Sequence, residues 1–141
     1  MNVQEQIKKH IASLPEPKRS DVEVLHQVIL QMSPGVRLWF DSGTNSDGKA
    51  VTNPTIGYGF QIMTYAGGKT REFFQIGLSA TKTGISVYVL GLKDKTYLAQ
   101  TYGKQLGKAT VTGYCMKFKT WKDIHVDVLK AAIRDGLEGG H

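Results

Sequence analysis

PTIGYGFQIMTYAGGKTREFFQIGLSATKTGISVYVL, residues 54–90, decides the fold of this 141-residue chain. Apolar side chains fall there at every second position: Phe60 and Ile62, Phe74 and Ile76, then Ile85, Val87 and Val89. A period of two is that of strands, whose side chains point alternately to opposite faces. The stretch predicts strands over 55–65, 70–79 and 85–90, joined by turns at "AGG" (66–68) and "TKTG" (81–84).

Upstream, residues 36–41 alternate Val36, Leu38 and Phe40 against Arg37, Trp39 and Asp41, which predicts a further strand. "SGTNSDGKAVTNP" (42–54) is a polar loop rich in turn residues. Before these the period is helical. Val3, Ile7, Ile11 and Leu14 place a helix over 2–14, closed by "PEP" at 15–17. A second helix starts near Ser20 or Asp21, carries Val22, Leu25, Val28, Ile29 and Met32 on one stripe, and stops at "SPG" (33–35). Downstream, 94–102 reads as a short helix, "TGYCMKFKTW" (112–121) as a fifth strand, and 125–137 as a last helix with Val126, Leu129, Ile133 and Leu137 on one face. Asp123 is the better cap for that helix than His125, and "EGGH" reads as a frayed end. The fold class is therefore α+β: two N-terminal helices, a mainly antiparallel sheet of about five strands and a C-terminal helix, with the helices on one sheet face. No linker interrupts residues 1–141, so a single domain is expected.

Composition excludes several classes. One cysteine rules out an intrachain disulfide and a cysteine-based zinc site, which fits a reducing interior. The N-terminal stretch has no apolar segment of signal-peptide type, and no run is long enough for a membrane span. A cytoplasmic location and no membrane partner follow as expectations. The net charge of +6 suits an anionic partner, but its lysines occur as pairs and alternations with no polybasic tract. Nucleic acid is accordingly not the expected partner.

Candidates for chemistry are few. Cys115 lacks the sequence surroundings of a Cys–His enzyme and reads as a small strand residue. His10, His26, His125 and His141 show no metal-binding spacing. "GYGF" (57–60) lies within a strand and opens no helix, so it marks a bulge or a close backbone approach, not a phosphate loop. "DSGTNSDGK" (41–49) lacks the ligand spacing of a calcium loop. No catalytic or metal residue is assigned and no enzyme activity is expected. The alternation does sort the sheet into two faces. Leu38/Phe40, Phe60/Ile62, Phe74/Ile76, Ile85/Val87/Val89 and Met116/Phe118 are expected against the helices. Arg37, Trp39, Met63, Tyr65, Phe73, Gln75, Tyr88, Cys115, Lys117 and Lys119 make the other face, richer in aromatic and sulfur side chains than a solvated face requires. Either that face receives a partner, or the 94–102 helix or the 42–54 loop folds over it as a second small core.

With these elements placed, the chain resembles the YdhG-like domains, a widespread bacterial family of unassigned function. "ASLPEPKRSDVEVLHQVI" (12–29) resembles the family's opening helices. Residues 54–90 resemble its Gly-aromatic-Gly strand, its hairpin and its Ser-Pro-Arg-Lys segment, with Ala80-Thr81 in place of Pro-Arg and Lys82 matching. "GYCMKFKTWKDIHVDVLKAAI" (113–133) is similar to its final strand, turn and helix. The resemblance covers about residues 10–135 and implies a frataxin-like layout and, from a relative, an iron-chaperone role. The acidic ridge of frataxin-type iron binding is not matched: the first helix has only Glu5 beside two lysines, and Asp41 stands nearly alone on its strand.

The expected function is that of a non-enzymatic binding or chaperone-like module working through the sheet face. Trp39, Tyr65, Phe73 and Tyr88 would be its aromatic anchors and Lys117 its cationic contact. The partner would be a protein or a small molecule, with homodimerisation through the same face as one form. Two alternatives stand beside it: iron delivery of frataxin type, with iron as the sole cofactor considered, and a small-molecule domain with a pocket beneath the 42–54 loop.

Overall fold

A computed structural model describes residues 2–139; Gly140 and His141, half of the stretch read as a frayed end, lie outside them. Helix α1 spans Val3–Ser13, with the Asn2 side chain accepting from the Glu5 amide at 2.8 Å and Ile7 and Ile11 buried one turn apart. Helix α2 spans Lys18–Met32, opening earlier than the expected Ser20 or Asp21. Glu16 explains the earlier start, because its carboxylate accepts from the Ser20 amide at 2.9 Å and the Ser20 hydroxyl at 2.8 Å. Asp21 is instead buried inside the first turn, where desolvation raises its pKa against a hydrogen bond from the Trp121 amide.

Strand β1 is Leu38–Asp41, and β2 is Thr55–Tyr58. The expected continuous strands 55–65 and 70–79 are each broken in two. Strands β3 (Gln61–Thr64) and β4 (Thr70–Phe73) form a separate two-stranded hairpin, while β5 (Ile76–Ala80) returns to the main sheet. The break has a local cause. Gly59 takes φ +89°, a conformation that side chains disfavour. Across it, the Gln75 side chain accepts from the Phe60 amide at 3.3 Å and donates to the Leu137 carbonyl at 3.2 Å.

Strand β6 is Ile85–Val89, and α3 is Tyr97–Tyr102. The fifth strand expected over 112–121 is a hairpin of β7 (Thr110–Thr112) and β8 (Cys115–Phe118), turning at Gly113–Tyr114. Helix α4 spans Val126–Glu138; neither Asp123 nor His125 caps it with a side-chain hydrogen bond. The main sheet runs β1-β2-β5-β6-β8-β7, with all neighbours antiparallel. It has six strands where about five were expected.

The register sorts the side chains. Phe40, Ile56, Leu78, Val87, Met116 and Val111 lie abreast across the six strands, and with the buried faces of α1, α2 and α4 they build the core. Leu98 of α3 belongs to this same core, and the Tyr97 and Tyr102 hydroxyls both donate to Asp135 of α4. Helix α3 therefore sits with the other helices and does not cover the second face. The 42–54 loop closes on itself instead, with Val51 and Thr52 amides donating to the Gly43 carbonyl at 2.8 and 3.1 Å.

Among the residues expected against the helices, three need correction. Phe60 and Ile62, expected against the helices, are 39% and 61% exposed, because the break at Gly59 resets the alternation. Phe74 is buried, but on the opposite face, where its ring lies over Gly57 and Gly77. These two glycines face each other across β2 and β5. A Cβ on Gly57 would stand 2.5 Å from the Phe74 ring, and one on Gly77 3.0 Å from it. The paired glycines make the floor on which the aromatic rests.

Gly57→Ala should therefore destabilise the fold by about 1–3 kcal/mol, as overpacking does, in urea-monitored unfolding. In a Phe74→Ala background the same change should cost far less. Additive costs would show that the ring does not use the glycine floor.

Candidate functional site

The row Trp39–Gly57–Gly77–Tyr88–Cys115–Thr112 crosses the sheet on the face turned away from the helices. Its β1 end is aromatic. Phe73 stacks on Phe74 with centroids 4.0 Å apart, and Trp39 meets Phe74 edge-on at 6.4 Å. Trp39 is anchored by its indole N–H, which donates to the Gly59 carbonyl at 2.7 Å. Arg37 lies over the Trp39 ring at 4.4 Å and the Phe60 ring at 5.0 Å, and Arg71 over Phe73 at 4.7 Å. Cation–π attraction holds both guanidiniums at this end.

Towards β8 the face is shallower. Tyr88 and Cys115 are half-buried neighbours, and Lys117, exposed, stands opposite Ser86 on one side and Thr110 on the other. Burial raises the Cys115 pKa, against smaller opposite effects of Ser86 and Lys117, so the thiol is protonated at neutral pH. A protonated, half-buried thiol is a poor nucleophile.

Lys117 also borders a hollow of about 470 Å³ at the end of the sheet. Thr81 and Thr83 of the β5–β6 turn, Thr110, and Lys108, Lys117 and Lys119 line it. One acid, Asp123, faces the three lysines there, so the lining carries net positive charge. Ile85 and Phe118 add apolar surface.

Of the five residues predicted from sequence, Trp39, Phe73, Tyr88 and Lys117 thus share one face. Tyr65 does not join them: it stands at the turn of the β3–β4 hairpin, 45% exposed, with its hydroxyl 3.9 Å from the Met63 sulfur. Missed by sequence reasoning were Phe74, Arg71 and the hollow. The facing glycines were a signal for Phe74, since a gap in a sheet face calls for a ring. Nothing local to Lys108 or Thr81 announces that they meet.

A second concavity of about 750 Å³ lies between α1 and α2 on the other side of the molecule. Its walls are mainly apolar, with Ile7, Ile11, Val24, Leu30 and Leu38, and its charged members are Lys8, Arg19 and Glu23. His26 lines it too. His26 is 8% exposed, and its Nδ1 lies 2.6 Å from the Tyr58 hydroxyl. Burial pushes His26 below the ordinary histidine range and Tyr58 well above the ordinary tyrosine range. Both are therefore neutral at pH 7. Neither cleft takes a residue from the 42–54 loop, beneath which the small-molecule alternative expected a pocket.

Among the described residues, no three His, Cys, Asp or Glu side chains gather closely enough to hold a metal ion. No helix of the described residues is long and apolar enough to cross a membrane. Comparisons with protein-family models, with curated proteins and with solved structures return no significant match. Function has to be argued from the sites.

His10 is also pushed below its ordinary range by burial. The unfolded chain takes up protons on both histidines before the folded one does, so stability falls as pH drops below about 6.5. His26→Gln should lower the melting temperature at pH 7.5 but shrink its further fall at pH 5.5. An undiminished acid-induced fall would show that His26 does not titrate in this way.

Proposed function

We propose that this protein is a non-enzymatic binding module whose helix-free sheet face and adjoining hollow take a small phosphate- or carboxylate-bearing molecule. The observation that carries the reading is the meeting of Lys108, Lys117 and Lys119 around one hollow against a single Asp123. Three neighbouring ammonium groups repel one another, and an anion between them relieves that repulsion. The hollow falls within the size range of small-molecule sites. Tyr88, opposite Cys115 in the sheet, keeps its ring beside Gly77, 3.3 Å from where a Cβ there would stand. The finer assignment of the architecture to the YdhG-like, frataxin-like type belongs to the same proposal, supported by helices before and after an antiparallel sheet.

A second reading has its own observation. Phe60, Ile62 and Tyr65 are all exposed on or beside the β3–β4 hairpin, and clustered exposed apolar groups mark protein contacts. A chaperone-like partner or a second copy of the chain would dock there. Ile62→Lys would then abolish association seen by sedimentation. Iron delivery, the alternative implied by the resemblance, has no comparable cluster of hard ligands among the described residues in its favour; calorimetric titration with ferrous iron tests it.

Titration with pyrophosphate and with citrate at low salt should give saturable heats that weaken as salt rises. Lys108→Ala and Lys119→Ala should each reduce affinity several-fold, and Trp39→Ala should leave it unchanged. No binding of either anion, or binding indifferent to both lysines, would overturn the anion site.

A further inference from the structure

The edge of a sheet presents unpaired N–H and C=O groups, a template for another strand. The edge strands of the main sheet both have helical neighbours, since α1 packs against β1 and α3 against β7. The β3–β4 hairpin is a sheet of its own, each strand pairing with the other and with no third. A two-stranded ribbon by itself is marginally stable in water.

The direction of its free backbone groups can be read from the ladder. The Tyr65 amide donates to the Lys69 carbonyl at 2.7 Å. Hydrogen-bonded and open pairs alternate along an antiparallel ladder, so Met63/Arg71 and Gln61/Phe73 are the hydrogen-bonded pairs. Ile62 and Thr64 therefore turn their N–H and C=O groups outward from β3. No backbone carbonyl of the described residues outside the hairpin accepts from either amide. Both side chains are exposed, and Phe60–Gly68 contains no charged residue.

Symmetry and charge decide what fits this edge. A two-fold axis between two antiparallel copies of a strand passes through one residue paired with itself. At the middle of β4 that residue would be Arg71 or Glu72, and like charges would stand directly opposite. At Met63 of β3 no charge is opposed, and Ile62 of each copy falls opposite Thr64 of the other, the two residues whose backbone groups point outward.

We propose that β3 pairs antiparallel with β3 of a second copy about an axis at Met63, giving one sheet of order β4-β3-β3-β4. This rests on the second reading above, that the hairpin is a protein contact, and names its occupant and geometry. The Ile62 amide donates to the Thr64 carbonyl of the second copy, and the Thr64 amide to its Ile62 carbonyl; symmetry repeats both bonds. The two Ile62 side chains become diagonal neighbours on one face. On the other face the Met63 side chains meet, each beside its own Tyr65, whose hydroxyl is 3.9 Å from the sulfur. The interface is small, so association depends on concentration. Each copy carries +6, and screening by salt strengthens the pairing.

Sedimentation of the full chain over a concentration series should show the mass rising from 15.6 kDa towards twice that, sooner at higher salt. Thr64→Pro removes an outward N–H while leaving Phe60, Ile62, Tyr65 and the inner ladder in place. It should weaken the dimer by about tenfold or more. Dimerisation lost with Ile62→Lys but kept with Thr64→Pro overturns the strand pairing and leaves docking through apolar side chains standing. A chain that stays monomeric throughout overturns the proposal and leaves a different protein as the hairpin's partner. The register is read without Thr64→Pro. In a Cys115→Ser background, Met63→Cys sets two thiols opposite each other in a non-hydrogen-bonded pair, about 4.5 Å between Cα atoms, within disulfide reach. Glutathione disulfide should then give a covalent dimer, whereas Thr70→Cys, exposed on β4, should stay monomeric. Cross-linking of both variants to the same extent, or of neither, overturns the proposal.

Discussion

The contact of the Phe74 ring with Gly57 and Gly77 governs the shape of the molecule. Two strands that could have run on as one long hairpin each break at Gly59 and Gln75, and there the Phe74 ring folds back over β2 and β5. On one side of the break the residues join the six-stranded sheet; on the other they form the projecting β3–β4 hairpin. The ring lies where two missing side chains would otherwise leave bare backbone, and truncating such a buried aromatic costs about 3–5 kcal/mol. Its stacking partner Phe73 and its edge partner Trp39 are positioned by the same contact. The aromatic end of the candidate face is therefore a consequence of how the sheet closes over its glycines.

Strand positions with strict alternation were legible in the sequence. Leu38 and Phe40, Ile85, Val87 and Val89, and Met116 and Phe118 all take the predicted side of the sheet, because a continuous strand offers no other choice. The reading failed where the alternation was reset. Phe60 and Ile62 looked like a continuation of Ile56 and Tyr58, and only the φ of Gly59 with the Gln75 side chain bridging the break sends them to solvent. A glycine inside a strand signals such an irregularity without saying which way the chain turns. Tyr65 leaves the face for the same reason, while Trp39, Tyr88 and Lys117 lie on it because their strands run unbroken.

The sites were less legible than the fold. The lysine hollow joins a turn after β5, the approach to β7 and the end of β8, three segments that no local pattern relates. His26 was visible as a histidine on the second helix, but its significance comes from a partner 32 residues away in sequence. A buried histidine on an apolar stripe gives no hint of whether its second nitrogen meets protein or solvent.

Strand β2 connects the two halves of the structure in four residues. Ile56 and Tyr58 point into the helix-covered core, while Gly57 opens the other face to Phe74. Tyr58 meets the His26 ring in the core, its hydroxyl 2.6 Å from Nδ1, and its neighbour Gly57 sets the aromatic layer on the far side. β2 is an interior strand, paired along its length by β1 and β5. Both features thus rest on backbone held from two sides, where a donor or a ring can be kept to one geometry. The alternation of one short interior strand thus sets both the helix-covered core and the aromatic layer on the opposite face.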